Sequence, residues 1–230
     1  MSTVPFIALT LLSLPFLLLG EARTFPLSRD KQDAGDRPLT WLRFIAKPLA
    51  SLGFLGVGWV SIGASGGFNS MNTALMVALV LCALGDICLL GTKRPLFLAG
   101  LVSFLLGHVG YIVVFALHGL SVDLFSGAVL VALLLVAWRV HSWLKPTLPP
   151  AMKGPVAAYI AIITGMMTAA LAAWLTHGVL AWVVGGVLFY VSDLFVARNR
   201  FVKPGAVNRV VGLPLYYAGQ LVLAASLAGD

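Results

Sequence analysis

Apolar residues run on without alternation for about 18–24 positions at a time along nearly the whole chain, and short polar stretches separate the runs. Each run, wound as a helix at 1.5 Å per residue, is long enough to cross a hydrocarbon core of ~30 Å. The runs lie at roughly 4–20, 40–61, 71–91, 95–117, 121–139, 154–175, 178–198 and 206–227. Alternation with period 2, the mark of a membrane β-barrel, is absent. The pattern therefore predicts an all-α polytopic membrane protein, a bundle of about eight transmembrane helices. The first separator, "EARTFPLSRDKQDAGDRPLT", is polar and the longest, and the fifth, "HSWLKPTLPPAMKG", is Pro-rich and predicts a short semi-rigid linker. Because the remaining separators are short, neighbouring helices should be antiparallel and residues 1–230 should form one integral membrane domain.

Composition agrees: 60% of the residues are hydrophobic and only 10% charged, far from the balance of a soluble domain. The formal charge of +7 raises the question of a nucleic-acid partner, and its distribution supplies a simpler explanation. All fifteen basic residues fall in or beside the first, third, fifth and seventh separators, while "GASGGFNS", "HGLS" and "THG" carry none. The positive-inside rule makes the basic side cytoplasmic, leaves both termini outside the cytoplasm, and requires no nucleic acid. In a bacterial host this places the chain in the inner membrane, with the lipid bilayer as its surroundings; a homo-oligomer is compatible with the chain but not indicated by it. Residues 1–22 resemble the apolar core of a signal peptide. They lack a basic start, and export would carry the basic first loop to the wrong side, so they read as a retained first span. Cys82 and Cys88 are six apart on one helix and face different ways, which suggests neither a disulfide nor a metal pair.

Asp86 and Asp193 interrupt this apolar background. The other acidic residues are Glu21, Asp30, Asp33 and Asp36 in the first loop, Asp123 at a span end, and the terminal Asp230. A carboxylate in a membrane helix costs roughly 2.5–3.5 kcal/mol on insertion scales. Both aspartates should lie ~7–8 Å below the basic end of their helices, at matching depth. Near that layer come Lys47 at the start of span 2, Tyr159 in span 6, and Asn208 and Arg209 opening span 8; Tyr216, Tyr217 and Gln220 lie deeper. His108 and Tyr111 are three apart on span 4 and share a face. Together these residues predict a polar cavity open to the basic side. A weak correspondence of Asp86 with Asp193, and of Lys47-Pro48 with Gly154-Pro155, would make the bundle a four-plus-four parallel repeat.

Plainer roles exist for the supporting groups. Lys47 can snorkel to the interface, His108 can be a packing histidine, and the tyrosines can anchor or pack. His118, His141 and His177 sit at span ends and read as interfacial. "GASGG" matches G-x-S-x-G around Ser65, but no strand precedes it and it lies on the opposite side from the aspartates. "GTKRP" lacks the glycine spacing of a phosphate loop, and no metal-ligand pattern occurs.

The ordered set "LGDICLL", "FLAGLVSFLLGHVGYIVVF", "GGVLFYVSDLFVA" and "LPLYYAGQLVLAASL", with Lys47-Pro48 and Tyr159, resembles the YhhN-like family, which includes the lysoplasmalogenases. The resemblance spans the chain from the second run to the eighth. It implies eight membrane helices and an ether hydrolase that cleaves the vinyl ether bond of a lysophospholipid to a fatty aldehyde and glycerophosphoethanolamine or glycerophosphocholine. It makes Asp86 and Asp193 the catalytic pair, with Lys47, His108, Tyr111, Tyr159, Asn208, Arg209, Tyr216, Tyr217 and Gln220 binding substrate or supporting them. The chemistry suits two carboxylates: one donates a proton to carbon, the other, ionised beside Lys47, steadies the oxocarbenium-like cation, and neither step needs a cofactor or metal. The substrate phosphate would lie near Arg209, Arg200 or Lys93. Intramembrane carboxylates also serve proton relays, so a proton-coupled transporter of a small or lipid-like solute is the alternative.

Overall fold

In a computed structural model of the chain, the described residues are 2–22, 41–91, 93–121 and 123–228. They form eight long helices, α1 Val4–Ala22, α2 Leu42–Ala64, α3 Ser70–Cys88, α4 Arg94–His118, α5 Leu124–Leu144, α6 Lys153–His177, α7 Leu180–Ala197 and α8 Ala206–Ser226. The protein is an all-helical polytopic membrane protein. Seven helical stretches are long and apolar enough to cross a membrane by length and composition, and α8 is the exception. It is less apolar because it carries Asn208, Arg209 and Gln220, and it buries Asn208 and Gln220 against the other helices.

Most helix boundaries fall close to the apolar runs. The Pro-rich fifth separator differs: α5 continues through His141 to Leu144, and only then do 3₁₀ turns at Lys145–Thr147 and Pro150–Met152 lead into α6. The helix persists to the residue before Lys145-Pro146, where proline removes an amide donor. His141 accordingly lies in the last turn of α5. At its other end α5 starts with a reciprocal cap: Ser126 N–H donates to Asp123 Oδ1 (2.7 Å) and Asp123 N–H to Ser126 Oγ (2.8 Å). The backbone bond from Ser126 holds the Asp123 carboxyl below the usual carboxylate range. After α7 the chain widens into a π-type turn, Arg198–Val202, before α8 begins.

Three helix pairs pack closely, α1 with α2, α3 with α4, and α7 with α8. Small residues permit the close approach. A Cβ placed on Gly107 would stand 2.7 Å from Cys82 Sγ, and one on Gly219 would stand 3.0 Å from Gly185 O. The pairs are joined across the bundle by α2 against α8 and α4 against α6. This exchange brings the fourth helix of each half beside the second helix of the other. The far end, away from the basic residues, is tied by side chains to backbone: His177 Nε2 meets His118 O at 2.8 Å, His118 Nε2 meets Leu227 O at 3.2 Å, and Trp182 Nε1 donates to Ser226 O at 2.8 Å. His118 and His177 thus belong to an interlocked cluster rather than reading simply as interfacial. Ser65 is also structural: its hydroxyl donates to Ile62 O at 3.1 Å and accepts from Asn72 Nδ2 at 3.2 Å.

Candidate active site

Asp86 lies in the last turn of α3, its side chain 2% exposed. A bare carboxylate there would be untenable, and three groups compensate it. Lys47 Nζ on α2 stands 3.2 Å from Oδ1, while Ser51 Oγ and Tyr216 OH each donate to Oδ2 at 2.8 Å. Lys47 and Ser51 are four apart, so one face of α2 supplies both. Lys47 does not snorkel outward; its side chain is as buried as its partner. One ammonium and two hydroxyl donors thus meet the carboxylate inside the bundle.

Asp193, near the end of α7, has different neighbours and is 16% exposed. Tyr159 OH on α6 donates to its Oδ2 at 2.7 Å, and His108 Nε2 on α4 lies 3.6 Å from the same oxygen. His108 Nδ1 is 2.6 Å from Phe104 O, and a carbonyl can only accept, so Nδ1 carries a hydrogen. In the neutral ring Nε2 is then a bare acceptor, and it makes no hydrogen bond among the described residues. A proton on either the imidazole or the carboxyl would relieve two acceptors facing each other across this gap.

The two aspartates thus have related frames and unlike contents. They are 107 residues apart (193 − 86), and their partners from the opposite halves, His108 and Tyr216, are 108 apart (216 − 108). Each carboxylate sits on the third helix of its half. It takes a donor from the second helix of that half and a neighbour from the fourth helix of the other.

Both aspartates border one cavity of about 610 Å³, within the usual size of a small-molecule site. Lys47, Tyr159, Asn208, Arg209 and Tyr216 also line it. Asn208 works on the protein itself: its Oδ1 accepts from Arg198 and its Nδ2 donates to Asn199 Oδ1 (3.1 Å) and Lys203 O (2.8 Å), fixing the α7–α8 turn. His108, Tyr111, Tyr217 and Gln220 do not line the cavity. Tyr111 OH donates to Gln220 Oε1 at 2.6 Å in the core, and Tyr217 OH donates to Lys47 O at 3.3 Å, which braces the lysine from behind. Among the described residues no cluster of three His, Cys, Asp or Glu side chains could hold a metal ion.

Three lining or supporting residues were not anticipated. Glu21 is not in the loop but in the last turn of α1, buried, with Oε1 3.4 Å from Arg209 Nη1. It is a third buried carboxylate, hidden because the apolar run ends one residue before it. Arg43 and Ser51 flank Lys47 at i−4 and i+4, and that spacing was the available signal. The 18-residue polar connection holding Arg23, Arg29, Lys31, Asp30, Asp33, Asp36 and Arg37 lies outside the described residues.

No solved structure matches the chain. Similar curated proteins include Lysoplasmalogenase TMEM86B of Homo sapiens, 32% identical over 82% of this chain and 76% of its own length. Lysoplasmalogenase TMEM86A of Bos taurus is 32% identical over 67% of this chain and 65% of its own length. Lysoplasmalogenase TMEM86B of Sus scrofa is 30% identical over 84% of this chain and 78% of its own length. The YhhN family model matches residues 42–227, covering α2 to α8 and both aspartates. This chain belongs to the YhhN family.

Proposed function

We propose that this protein hydrolyses the vinyl ether bond of lysoplasmalogens, releasing a fatty aldehyde and glycerophosphoethanolamine or glycerophosphocholine. The observation that carries the reading is the unlike surroundings of two carboxylates on one cavity. Asp86 is matched with a lysine and two hydroxyls, while Asp193 accepts from Tyr159 and faces His108 Nε2 at 3.6 Å. The names of the curated relatives support the substrate class.

The steps follow from the bond. The proton held at Asp193 and His108 passes to the alkenyl carbon remote from oxygen. The π electrons form the new C–H bond, and an ether-oxygen lone pair stabilises the resulting oxocarbenium ion. The Asp86 carboxylate, kept anionic by Lys47, steadies that positive charge, as a carboxylate does in glycoside hydrolysis. Water adds to the cationic carbon and gives up a proton to the emptied Asp193–His108 pair. That proton then moves to the glycerol oxygen as the hemiacetal C–O bond breaks, while the hemiacetal hydroxyl gives its proton back to the pair and its O–H electrons form the aldehyde C=O. The pair ends protonated, as it began. Tyr159 holds Asp193 in place through its 2.7 Å bond.

The basic end of the bundle, toward which the cavity lies, is the cytoplasmic end in this reading. A carrier would need the site to open alternately to both sides, and the bonds of His118, His177 and Trp182, which hold α4, α6, α7 and α8 together at the far end, support one-sided access. The decisive experiment offers purified protein in detergent three matched lysolipids, 1-alkenyl, 1-acyl and saturated 1-alkyl. Aldehyde should appear from the first alone, because only it gives a stabilised cation on protonation. Fatty acid release from the acyl compound at a comparable rate would indicate a lysophospholipase, and no product from any of the three would remove the hydrolase reading.

A further inference from the structure

The cavity wall is chemically divided. On the α4–α5–α6 side it is built by Phe97, Leu101, Leu144, Val156 and Ile160, part of a separate apolar cluster. On the α1–α2–α8 side it carries Glu21, Arg43, Lys47 and Arg209. The side chains of the charged rim are not equally committed. Arg209 pairs with Glu21 at 3.4 Å, Arg200 lies over the Phe97 ring at 4.3 Å, and Lys47 is bonded to Asp86.

Arg43 stands apart. It is 8% exposed, it lines the cavity, and its buried Nε has no hydrogen-bond partner among the described residues. Its guanidinium lies 4.8 Å over the Phe44 ring, which supports the charge without using a donor. An unspent buried donor on a permanent cation is expensive to maintain, and a ligand that accepts from it recovers that free energy. The planar guanidinium fork suits a phosphate, to which it can donate two parallel bonds.

Position selects among phosphates. Arg43 is one helical turn from Lys47, so their Cβ atoms are ~5–6 Å apart on one face. Lys47 marks the place of Asp86 and of the reacting ether. In a lysoglycerophospholipid, three glycerol carbons separate the ether oxygen from the phosphodiester, a span of similar reach. The apolar wall then takes the single chain on the opposite side.

Resting on the hydrolase reading for the identity of the reacting bond, we propose that Arg43 is the phosphate ligand of this site and selects a phosphate-bearing lysolipid over a neutral alkenylglycerol. The shared chemistry is a phosphate ester, and the lipid headgroup rather than free phosphate is its source.

Binding tests this without turnover. Saturated 1-alkyl lysophosphoethanolamine, 1-alkylglycerol and inorganic phosphate are titrated into the purified full-length protein in detergent. The wild type should bind the phospholipid more tightly than the alkylglycerol, and inorganic phosphate only weakly. Arg43→Gln should weaken the phospholipid about 10–100-fold, the scale of a lost charge-assisted pair, and leave alkylglycerol affinity within about twofold. Arg43→Lys, which keeps the charge and loses the fork, should fall between. Equal loss on both lipids would make Arg43 a structural residue and overturn the proposal, as would no loss on either. Inorganic phosphate binding as tightly as the lipid would overturn the headgroup as source. If Arg43→Gln does not fold, the wild-type arms decide, since equal affinity for phospholipid and alkylglycerol also overturns it. Aldehyde release from the 1-alkenyl lipid is read separately. Phosphate-dependent binding without aldehyde would remove the hydrolase reading and leave Arg43 as a phosphate ligand.

Discussion

Lys47 Nζ stands 3.2 Å from Asp86 Oδ1, and both side chains are buried between α2 and α3. Removing the cation alone strands a buried carboxylate, at a cost of about 3–5 kcal/mol. Lys47→Met should therefore lower the melting temperature in detergent as well as activity. Adding Asp86→Asn to it should restore most of the stability and none of the turnover. Full recovery of turnover in the double variant would show that the pair serves only the fold.

Asp86→Asn and Asp193→Asn should each reduce aldehyde formation by ~10²-fold or more, the scale of a positioned acid or base. Membrane insertion should persist, because the amide is cheaper than the carboxylate in lipid. Kinetics on equal amounts of inserted protein separate the two effects. Near-normal turnover in either variant removes that residue from the chemistry.

His108 also packs against Phe189, with ring centroids 4.4 Å apart, so a structural role competes with proton sharing. Gln at this position keeps a polar group of similar reach but cannot relay a proton. His108→Gln should lower kcat about 10–100-fold with KM within about twofold. A change confined to KM would mean that the ring shapes the cavity and holds no proton.

The orientation of the bundle can be read with a reporter fused after Asp230 that matures only in the cytoplasm. The one-sided basic residues place this terminus on the opposite side, so the reporter should stay dark. A bright reporter would reverse the orientation and, with it, the leaflet from which substrate enters.

The membrane class, the helices and the two aspartates were legible in the chain itself. Long apolar runs leave no other way to satisfy backbone groups in lipid, and ionisable residues inside such runs need a use. Depth was less legible, because Asp86 lies two residues and Asp193 four residues before the end of its helix, where five were expected for both. Glu21 is not legible for a local reason: the apolar run that ends at Gly20 gives no indication that the residue after it turns inward. The length of α5 was misjudged because Pro146 and Pro149 drew attention to a break that begins only after Leu144.

Partnership was a different matter. Nothing in the order of residues says that Lys47 and Ser51 serve Asp86 while Tyr159 and His108 serve Asp193. Nor does it say that Tyr111 and Gln220 bond to each other in the core instead of facing the cavity. Helical periodicity assigns each side chain a face and a height, which are properties of one helix. Which faces meet depends on how α2, α4, α6 and α8 cross, and that is set by packing between glycines and bulky side chains far apart in the chain. The sequence thus determined a bundle of apolar helices with two carboxylates inside the runs. Only the tertiary structure decided that one would meet a lysine and two hydroxyls and the other a tyrosine and a histidine, because which side chains reach a buried group depends on how the helices cross.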